Sequence, residues 1–167
     1  SSFSRHFFIF ILIFFAKVIG YSQEKVIDLD KLLEELNVKI INDSTNQYFY
    51  QARGDIYILK QEFELAISDF TAAINISSTY SDAYMSRGLA YFKLGNLTAS
   101  LQDLTFAINR GDISSADLYF NRGVVYQEMK NYNDATQDYM HCLKIQSDYD
   151  CAYYNLGIIY FEQENYK

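Results

Sequence analysis

Four glycines recur at a near-constant interval: Gly54, Gly88, Gly123 and Gly157 are separated by 34, 35 and 34 residues. Each has a tyrosine four residues before it and another three after it, in "YQARGDIY", "YMSRGLAY", "YFNRGVVY" and "YYNLGIIY". A second block follows the first three glycines: "FELAISDFTAAI" (63–74), "LTASLQDLTFAI" (97–108) and "YNDATQDYMHCL" (132–143) align without gaps. In the first of these, Ala66, Ile67, Phe70, Ala73 and Ile74 fall on one helical face. The glycine block reads as a helix with Tyr50, Arg53, Gly54, Tyr57 and Ile58 along one stripe. Each repeat is therefore two helices, A and B, joined by a short turn such as "KLGN" (93–96) or "MKNY" (129–132).

A glycine inside a helix costs about 1 kcal/mol against alanine. A period that retains it needs a compensating gain, and close helix packing supplies one. Helix axes pack about 8 to 10 Å apart, depending on the side chains between them. The expectation is that each glycine faces an alanine of helix B and that the flanking tyrosines fill the space around the contact. A charged pair has the same period: Arg53, Arg87 and Arg122 precede three of the glycines, and Asp69, Asp103 and Asp138 lie sixteen residues later. Either a bridge from helix A to helix B recurs, or the two charges are solvated independently.

These residues resemble the tetratricopeptide repeat. The family pattern of aromatic, glycine, tyrosine, alanine, aromatic and alanine is met by Tyr50, Gly54, Tyr57, Ala66, Phe70 and Ala73. It recurs as Tyr84, Gly88, Tyr91, Ser100, Leu104 and Ala107, and as Tyr119, Gly123, Tyr126, Ala135, Tyr139 and Cys142. A fourth start is present at Tyr153, Gly157 and Tyr160. The usual proline near each repeat end is replaced by Ser78 and Ser147, and one extra residue in "RGDISS" (110–115) makes that junction irregular. The resemblance implies an all-α fold, a right-handed α-solenoid. Its repeats would span 47–80, 81–115 and 116–149, with a partial fourth at 150–167. Residues 26–41 read as an amphipathic helix, with Leu33, Leu36 and Ile40 one period before Ile67, Phe70 and Ile74. Segment 23–46 is expected to be a capping helix with its linker, although Leu32 and Lys39 stand where helix B has alanines.

Arg5 and His6 precede an apolar run from Phe7 to Ala16, and Lys17, Gly20 and Ser22 follow. That layout is expected of a secretory signal peptide over residues 1–22. A run this short falls below the roughly 20 apolar residues of a membrane span. The chain is then exported, periplasmic or secreted; attachment to a membrane is the alternative if the segment stays uncleaved. The stop at "FEQENYK", before a fourth helix B, suggests a fragment of a longer protein; a self-paired end is the alternative.

The formal charge of −7 over 167 residues, with no basic run, argues against a nucleic-acid partner. Residues 1–22 hold Arg5, Lys17 and no acidic residue, so their removal deepens the charge to −9. No cofactor motif, metal-ligand cluster or phosphate-binding loop is present, and no catalytic residue is assigned. His141 and Cys142 are sequence neighbours, which a helix turns in different directions. His141 reads as a surface residue and Cys142 as a buried small one. Cys142 and Cys151 form a disulfide or stay separate thiols.

The resemblance implies a binding scaffold whose A helices line a concave groove. The corresponding positions are Tyr48, Gln51 and Asp55, then Asp82, Met85 and Leu89, then Asp117, Phe120 and Val124. Chaperone-binding members clamp a C-terminal carboxylate with lysine, asparagine and arginine. The matching positions here are Gln51, Asp55, Ser86, Asp117 and Asn121, without cations. The expected partner is a protein or extended peptide, basic or apolar in character. The second function class is the sensing or docking part of a longer enzyme or signalling protein whose active domain lies beyond Lys167.

Overall fold

The computed structural model describes residues 28–110 and 115–165. The expected signal segment and the middle of the 110–115 junction lie outside the described residues. Every regular element that is described is a helix: α1 (Leu29–Asn42), α2 (Gln47–Leu59), α3 (Phe63–Ile76), α4 (Ser81–Lys93), α5 (Leu97–Arg110), α6 (Ala116–Glu128), α7 (Tyr132–Ile145) and α8 (Asp150–Asn165). The chain divides into two compact units, residues 1–31 and 32–167. Of the first, the described part is the entry to α1, where the Lys31 N–H donates to the Asp28 carboxylate at 3.1 Å. The second unit holds the repeats: α2 with α3, α4 with α5, and α6 with α7, followed by α8. From α2 to α8 each helix packs on its neighbours in sequence, as a solenoid requires.

The three A-to-B turns share one geometry. The helix ends on a residue in the left-handed region, Gln61 (φ 61°), Gly95 (φ 76°) or Lys130 (φ 59°). Its N–H reaches back three residues, and the next N–H reaches back five, as in Glu62 to Tyr57 O (2.8 Å), Asn96 to Tyr91 O (2.9 Å) and Asn131 to Tyr126 O (2.9 Å). This is the Schellman arrangement, which satisfies the last carbonyls of helix A. Only the middle turn uses glycine; the other two hold a side chain in a conformation that L-residues disfavour. Asn96 and Asn131 then start the next helix by accepting from Ala99 N–H (3.2 Å) and Asp134 N–H (3.5 Å).

The glycines do create a close approach, but their partner is not the alanine. A Cβ on Gly54 would lie 2.5 Å from the Phe70 ring, on Gly88 3.1 Å from Leu104 Cγ, and on Gly123 2.8 Å from Tyr139 Cε1. Phe70, Leu104 and Tyr139 are completely buried, each filling the notch that its glycine leaves. The small residues Ala66, Ser100, Ala135, Ala73, Ala107 and Cys142 are equally buried beside them. Burial of a large apolar side chain contributes roughly 1.5–3 kcal/mol, more than the glycine costs. From helix A the core receives Ile56, Ala83, Ala90, Leu118, Val125, Ala152 and Ile159 rather than the tyrosine stripe.

The tyrosines flanking the first three glycines are only half-buried, and they serve the arginines. The Arg87 guanidinium lies 5.5 Å from the Tyr84 ring and 6.0 Å from Tyr91; Arg122 lies 5.8 Å from both Tyr119 and Tyr126. Arg53 lies 5.8 Å from the Tyr50 ring, and each of the three guanidiniums makes a two-pronged bridge to helix B. Arg53 bonds both oxygens of Asp69 at 2.7 and 2.6 Å, Arg87 those of Asp103 at 2.7 and 2.9 Å, and Arg122 those of Asp138 at 2.7 and 2.8 Å. The three aspartates are buried. The bridge therefore recurs, and the alternative of solvated charges falls.

Each arginine also has a third partner, on the helix B before its own. Nη1 donates to Thr71 Oγ1 from Arg87 (3.0 Å) and to Thr105 Oγ1 from Arg122 (3.5 Å). From Arg53 the acceptor is Asn37 Oδ1 on α1, at 2.7 Å. Asn37 precedes Thr71 by the same 34 residues that separate Thr71 from Thr105. By this bond α1 stands to α2 as a helix B stands to the next helix A. It packs more lightly, since Leu33, Leu36 and Ile40 are half-buried and none of its residues is fully buried.

The first tyrosine of a repeat also holds the junction before it. Tyr50, Tyr84 and Tyr153 donate their hydroxyls to the carbonyls of Ser44 (3.4 Å), Ser78 (3.4 Å) and Ser147 (3.2 Å). Two of these serines stand where the repeat family usually carries proline.

On α8 no described residue meets the glycine. Nothing lies within 4 Å of a Cβ on Gly157. Tyr153, Tyr154, Tyr160 and Phe161 are exposed, while Ile158 stays half-buried. The two positions should respond with opposite signs. Gly123→Ala forces a methyl group against the locked Tyr139 ring and should destabilise by about 1–3 kcal/mol, with Gly123→Leu worse. Gly157→Ala should stabilise by up to about 1 kcal/mol through helix propensity alone. Thermal melts followed by circular dichroism compare them; equal shifts would contradict the notch. For the bridge, an Arg53→Ala, Asp69→Ala double-mutant cycle should give a coupling of about 1–3 kcal/mol, and additive effects would refute it.

Candidate functional site

The glycine stripe of each A helix points at helix B, which leaves another stripe to face away from it. Positions two, five and nine of a helix A lie on that second stripe, because spacings of three and four share a face. On α2 these are Tyr48, Gln51 and Asp55; on α4 Asp82, Met85 and Leu89; on α6 Asp117, Phe120 and Val124. Tyr48 and Asp82 are exposed, and Asp55, Met85, Leu89, Asp117, Phe120 and Val124 are half-buried. Gln51 departs from the expectation. It is only 3% exposed, so it forms part of the floor and not of the lining.

Two groups of these residues are brought together. In the first, the Gln51 amide nitrogen donates to Asp55 Oδ1 at 3.0 Å and to Ser86 Oγ at 2.9 Å, joining α2 to α4. The Gln51 carbonyl oxygen, the other end of the same amide, is buried and has no hydrogen-bond partner. Tyr48 stands over this floor with its ring edge-on to Tyr80, centroids 5.6 Å apart. Burial chiefly, opposed by the Gln51 hydrogen bond and assisted by the nearby Asp82 carboxylate, pushes the Asp55 carboxyl up to about 7. Burial, with Asp82, Asp55 and Tyr48 around it, also raises the Tyr80 phenol, which stays protonated.

The second group surrounds Asp117, whose Oδ1 accepts from the Tyr149 hydroxyl at 2.9 Å. Phe120 lies between Tyr149 and Tyr139, at centroid distances of 4.9 and 5.7 Å. Phe120 and Val124 rest on the core around Tyr139, Cys142, Leu156 and Ile159, and Met85 rests on the core around Leu118 and Val125. These apolar residues are therefore walls anchored in the interior. Tyr80 and Tyr149 were not among the sequence candidates. Each stands immediately before a helix A, a register at which the third repeat has Ser115.

Among the described residues no lysine or arginine pairs with Asp55, Asp82 or Asp117. None of the described His, Cys, Asp and Glu residues group into a set of three able to hold a metal ion. No described helix is long and apolar enough to cross a membrane. His141 is exposed and stacks on Tyr119 at 4.9 Å. Cys142 and Cys151 are separate free thiols, and burial pushes Cys142 up to about 11, away from the thiolate a nucleophile needs.

Comparison with known proteins places these repeats in a family. A profile described as "TPR repeat" matches residues 54–95, and one described as "Tetratricopeptide repeat" matches residues 116–149. The chain is a tetratricopeptide repeat protein. It is 30% identical over 106 residues to Tetratricopeptide repeat protein 6 of Homo sapiens, covering 64% of this chain and 19% of that one. It is 28% identical over 121 residues to Hsp70-Hsp90 organizing protein 3 of Arabidopsis thaliana, covering 72% of this chain and 22% of that one. The chain thus spans about a fifth of the length of these curated relatives. Among solved structures it resembles MamA, with a TM-score of 0.78 at 23% identity over 82% of this chain and 80% of that one. It also resembles the first tetratricopeptide domain of Spaghetti (RPAP3) bound to the HSP90 peptide SRMEEVD. There the TM-score is 0.69 at 20% identity, over 73% of this chain and 96% of that one. These likenesses establish the repeat solenoid.

The raised Asp55 has a measurable consequence for this tetratricopeptide array. A carboxyl whose folded pKa lies above its unfolded value favours folding in its protonated form. Its own contribution to stability is then present at low pH and is lost as the pH rises from about 4 to 7. Asp55→Asn keeps an acceptor for Gln51 and removes the charge. It should stabilise the fold at pH 8, on the order of 2–4 kcal/mol at most, and change little at pH 4. Chemical denaturation at the two pH values checks this; equal effects at both would contradict the raised carboxyl.

Proposed function

We propose that this tetratricopeptide array is a protein–protein interaction scaffold that takes an extended segment of a partner along the face formed by α2, α4 and α6. The observation that carries the reading is a row of carboxylates without cationic partners among the described residues, Asp55, Asp82 and Asp117, interleaved with Tyr48, Met85, Leu89, Phe120 and Val124. Unpaired carboxylates and partly exposed apolar groups left in this state cost stability, and a ligand of complementary character relieves both. The names of relatives support the general role. One is an Hsp70-Hsp90 organizing protein, and one structural neighbour is a domain bound to an HSP90 peptide.

The chemistry of the ligand differs from that neighbour's. SRMEEVD is acidic, whereas the matching positions here, Gln51, Asp55, Ser86, Asp117 and Asn121, include two carboxylates and no cation. A basic or apolar segment fits this face, and an acidic one is repelled by it. Calorimetric titration with basic, apolar and acidic decapeptides tests the assignment. Basic peptides should bind most tightly and should weaken with added salt, since their attraction is partly screened. Tighter binding of acidic peptides would overturn the proposal.

A further inference from the structure

We propose that Asp55, Asp82 and Gln51 form a subsite for one cationic side chain of the bound segment, a lysine or arginine, walled by Tyr48 and Tyr80, and that its capture expels a proton from Asp55. This deepens the function proposed above and rests on the same groove. Three independent features meet at one place. Two carboxylates from successive A helices approach closely enough to act on each other, and among the described residues neither has a cation. The Gln51 carbonyl oxygen is buried without a donor, although its amide nitrogen serves both Asp55 and Ser86. Orphaned buried acceptors are rare, and a ligand donor is one cure. Two tyrosine rings lie edge to face 5.6 Å apart, Tyr48 exposed and Tyr80 near enough for both carboxylates to act on it, so aromatic surface for an organic cation stands beside them.

The same set suits a metal ion poorly. Calcium takes six to eight oxygen ligands, and here two carboxylates and one amide oxygen are available. An ammonium or guanidinium needs only the acceptors present, and its aliphatic stem lies along aromatic surface.

The proton follows from the surroundings of Asp55. The groups that act with it are Asp82 from α4, Tyr80 from the junction before α4, and the neutral Gln51 from its own helix. None is a cation, and no charged group of α3 acts on it. The empty site is therefore half-neutralised by a proton near pH 7, and the incoming cation replaces that proton, which leaves to solvent. Between pH 8 and pH 6 the ionised fraction falls about tenfold, and affinity should fall with it.

The test uses the isotope-labelled chain and a decapeptide of alanine and serine with one central lysine, alongside a twin with norleucine in its place. Nuclear magnetic resonance follows the Gln51 side-chain amide and the Asp55 carboxyl carbon. The lysine peptide should shift both, the twin neither, and the dissociation constant should rise about tenfold from pH 8 to pH 6. Asp55→Asn and the exposed Asp82→Asn should each weaken the lysine peptide at least fivefold while the backbone spectrum stays native. Glu64→Gln, on helix B, should leave binding unchanged. If basic peptides bind the groove but lysine and norleucine twins are equal, or both Asn variants bind as the parent does, the subsite is wrong and the groove assignment stands. If no peptide perturbs any groove resonance, both fall.

Discussion

Helix A and helix B approach so closely because one side of the contact has no side chain at all, and everything else in the repeat is arranged around that absence. The notch at Gly54, Gly88 or Gly123 admits a large residue that is then sealed from water: Phe70, Leu104 or Tyr139. Its neighbour in sequence, Asp69, Asp103 or Asp138, is carried to the same depth. A carboxylate at that depth is unfavourable unless it is paired and hydrogen-bonded. The residue before each glycine is accordingly an arginine, one position along the same turn and within reach of both carboxylate oxygens. The guanidinium loses solvent in turn, and the tyrosines three before and four after it supply π-faces in place of water. Glycine, arginine and two tyrosines are thus one device in each repeat. Its third bond, to Thr71, Thr105 or Asn37, extends the device to the helix before.

Period and spacing made this fold readable, and the limits of that reading are physical. The alignment identifies which positions are equivalent, and from there the helix pairs, the small residues of helix B and the arginine–aspartate register follow. It does not say which equivalent position touches which. Alanine opposite glycine is the natural guess when closeness is the only criterion. The structure places a large side chain there instead, because a ring can lie flat over a bare backbone and a methyl group cannot fill the gap. The tyrosine stripe misleads for a related reason. Its strong period suggests core, whereas its rings line the arginine, and short residues such as Ala83, Ala90 and Ala152, with no aromatic signature, do the burying.

The groove was legible as a set of positions and only partly as a site. Tyr48, Asp55, Asp82 and Met85 lie where a helix-A stripe should put them. Gln51 belongs to the floor, since its amide spans two helices, and that bond joins side chains 35 positions apart in sequence. Tyr80 and Tyr149 escaped notice because they stand just outside helix A, where the helical period no longer applies. Their effect differs with what each meets. Tyr149 bonds Asp117 and quietens that carboxylate, while Tyr80 meets Tyr48 and leaves Asp55 and Asp82 to each other. One array therefore holds a tyrosine-bonded carboxylate at one end of the face and, among the described residues, a pair without a cation at the other.

The fourth repeat start shows the arginine and its threonine acceptor changing together. Its glycine block reads "YYNLG", so Leu156 stands where Arg53, Arg87 and Arg122 stand, and it is buried. One repeat earlier, the position that accepts from the arginine in Thr71 and Thr105 has become Met140, which is exposed. A lone change of either kind would leave a stranded group: a guanidinium without its acceptor, or a threonine hydroxyl facing a leucine. Changed together, they convert a charged tie between α7 and α8 into an apolar one, with Leu156 joining Tyr139, Cys142 and Ile159 in a single cluster. The glycine is retained at Gly157, although no described side chain lies within 4 Å of a Cβ there. The glycine and the charged tie are thus separable features of the repeat, and the fourth start keeps the first without the second.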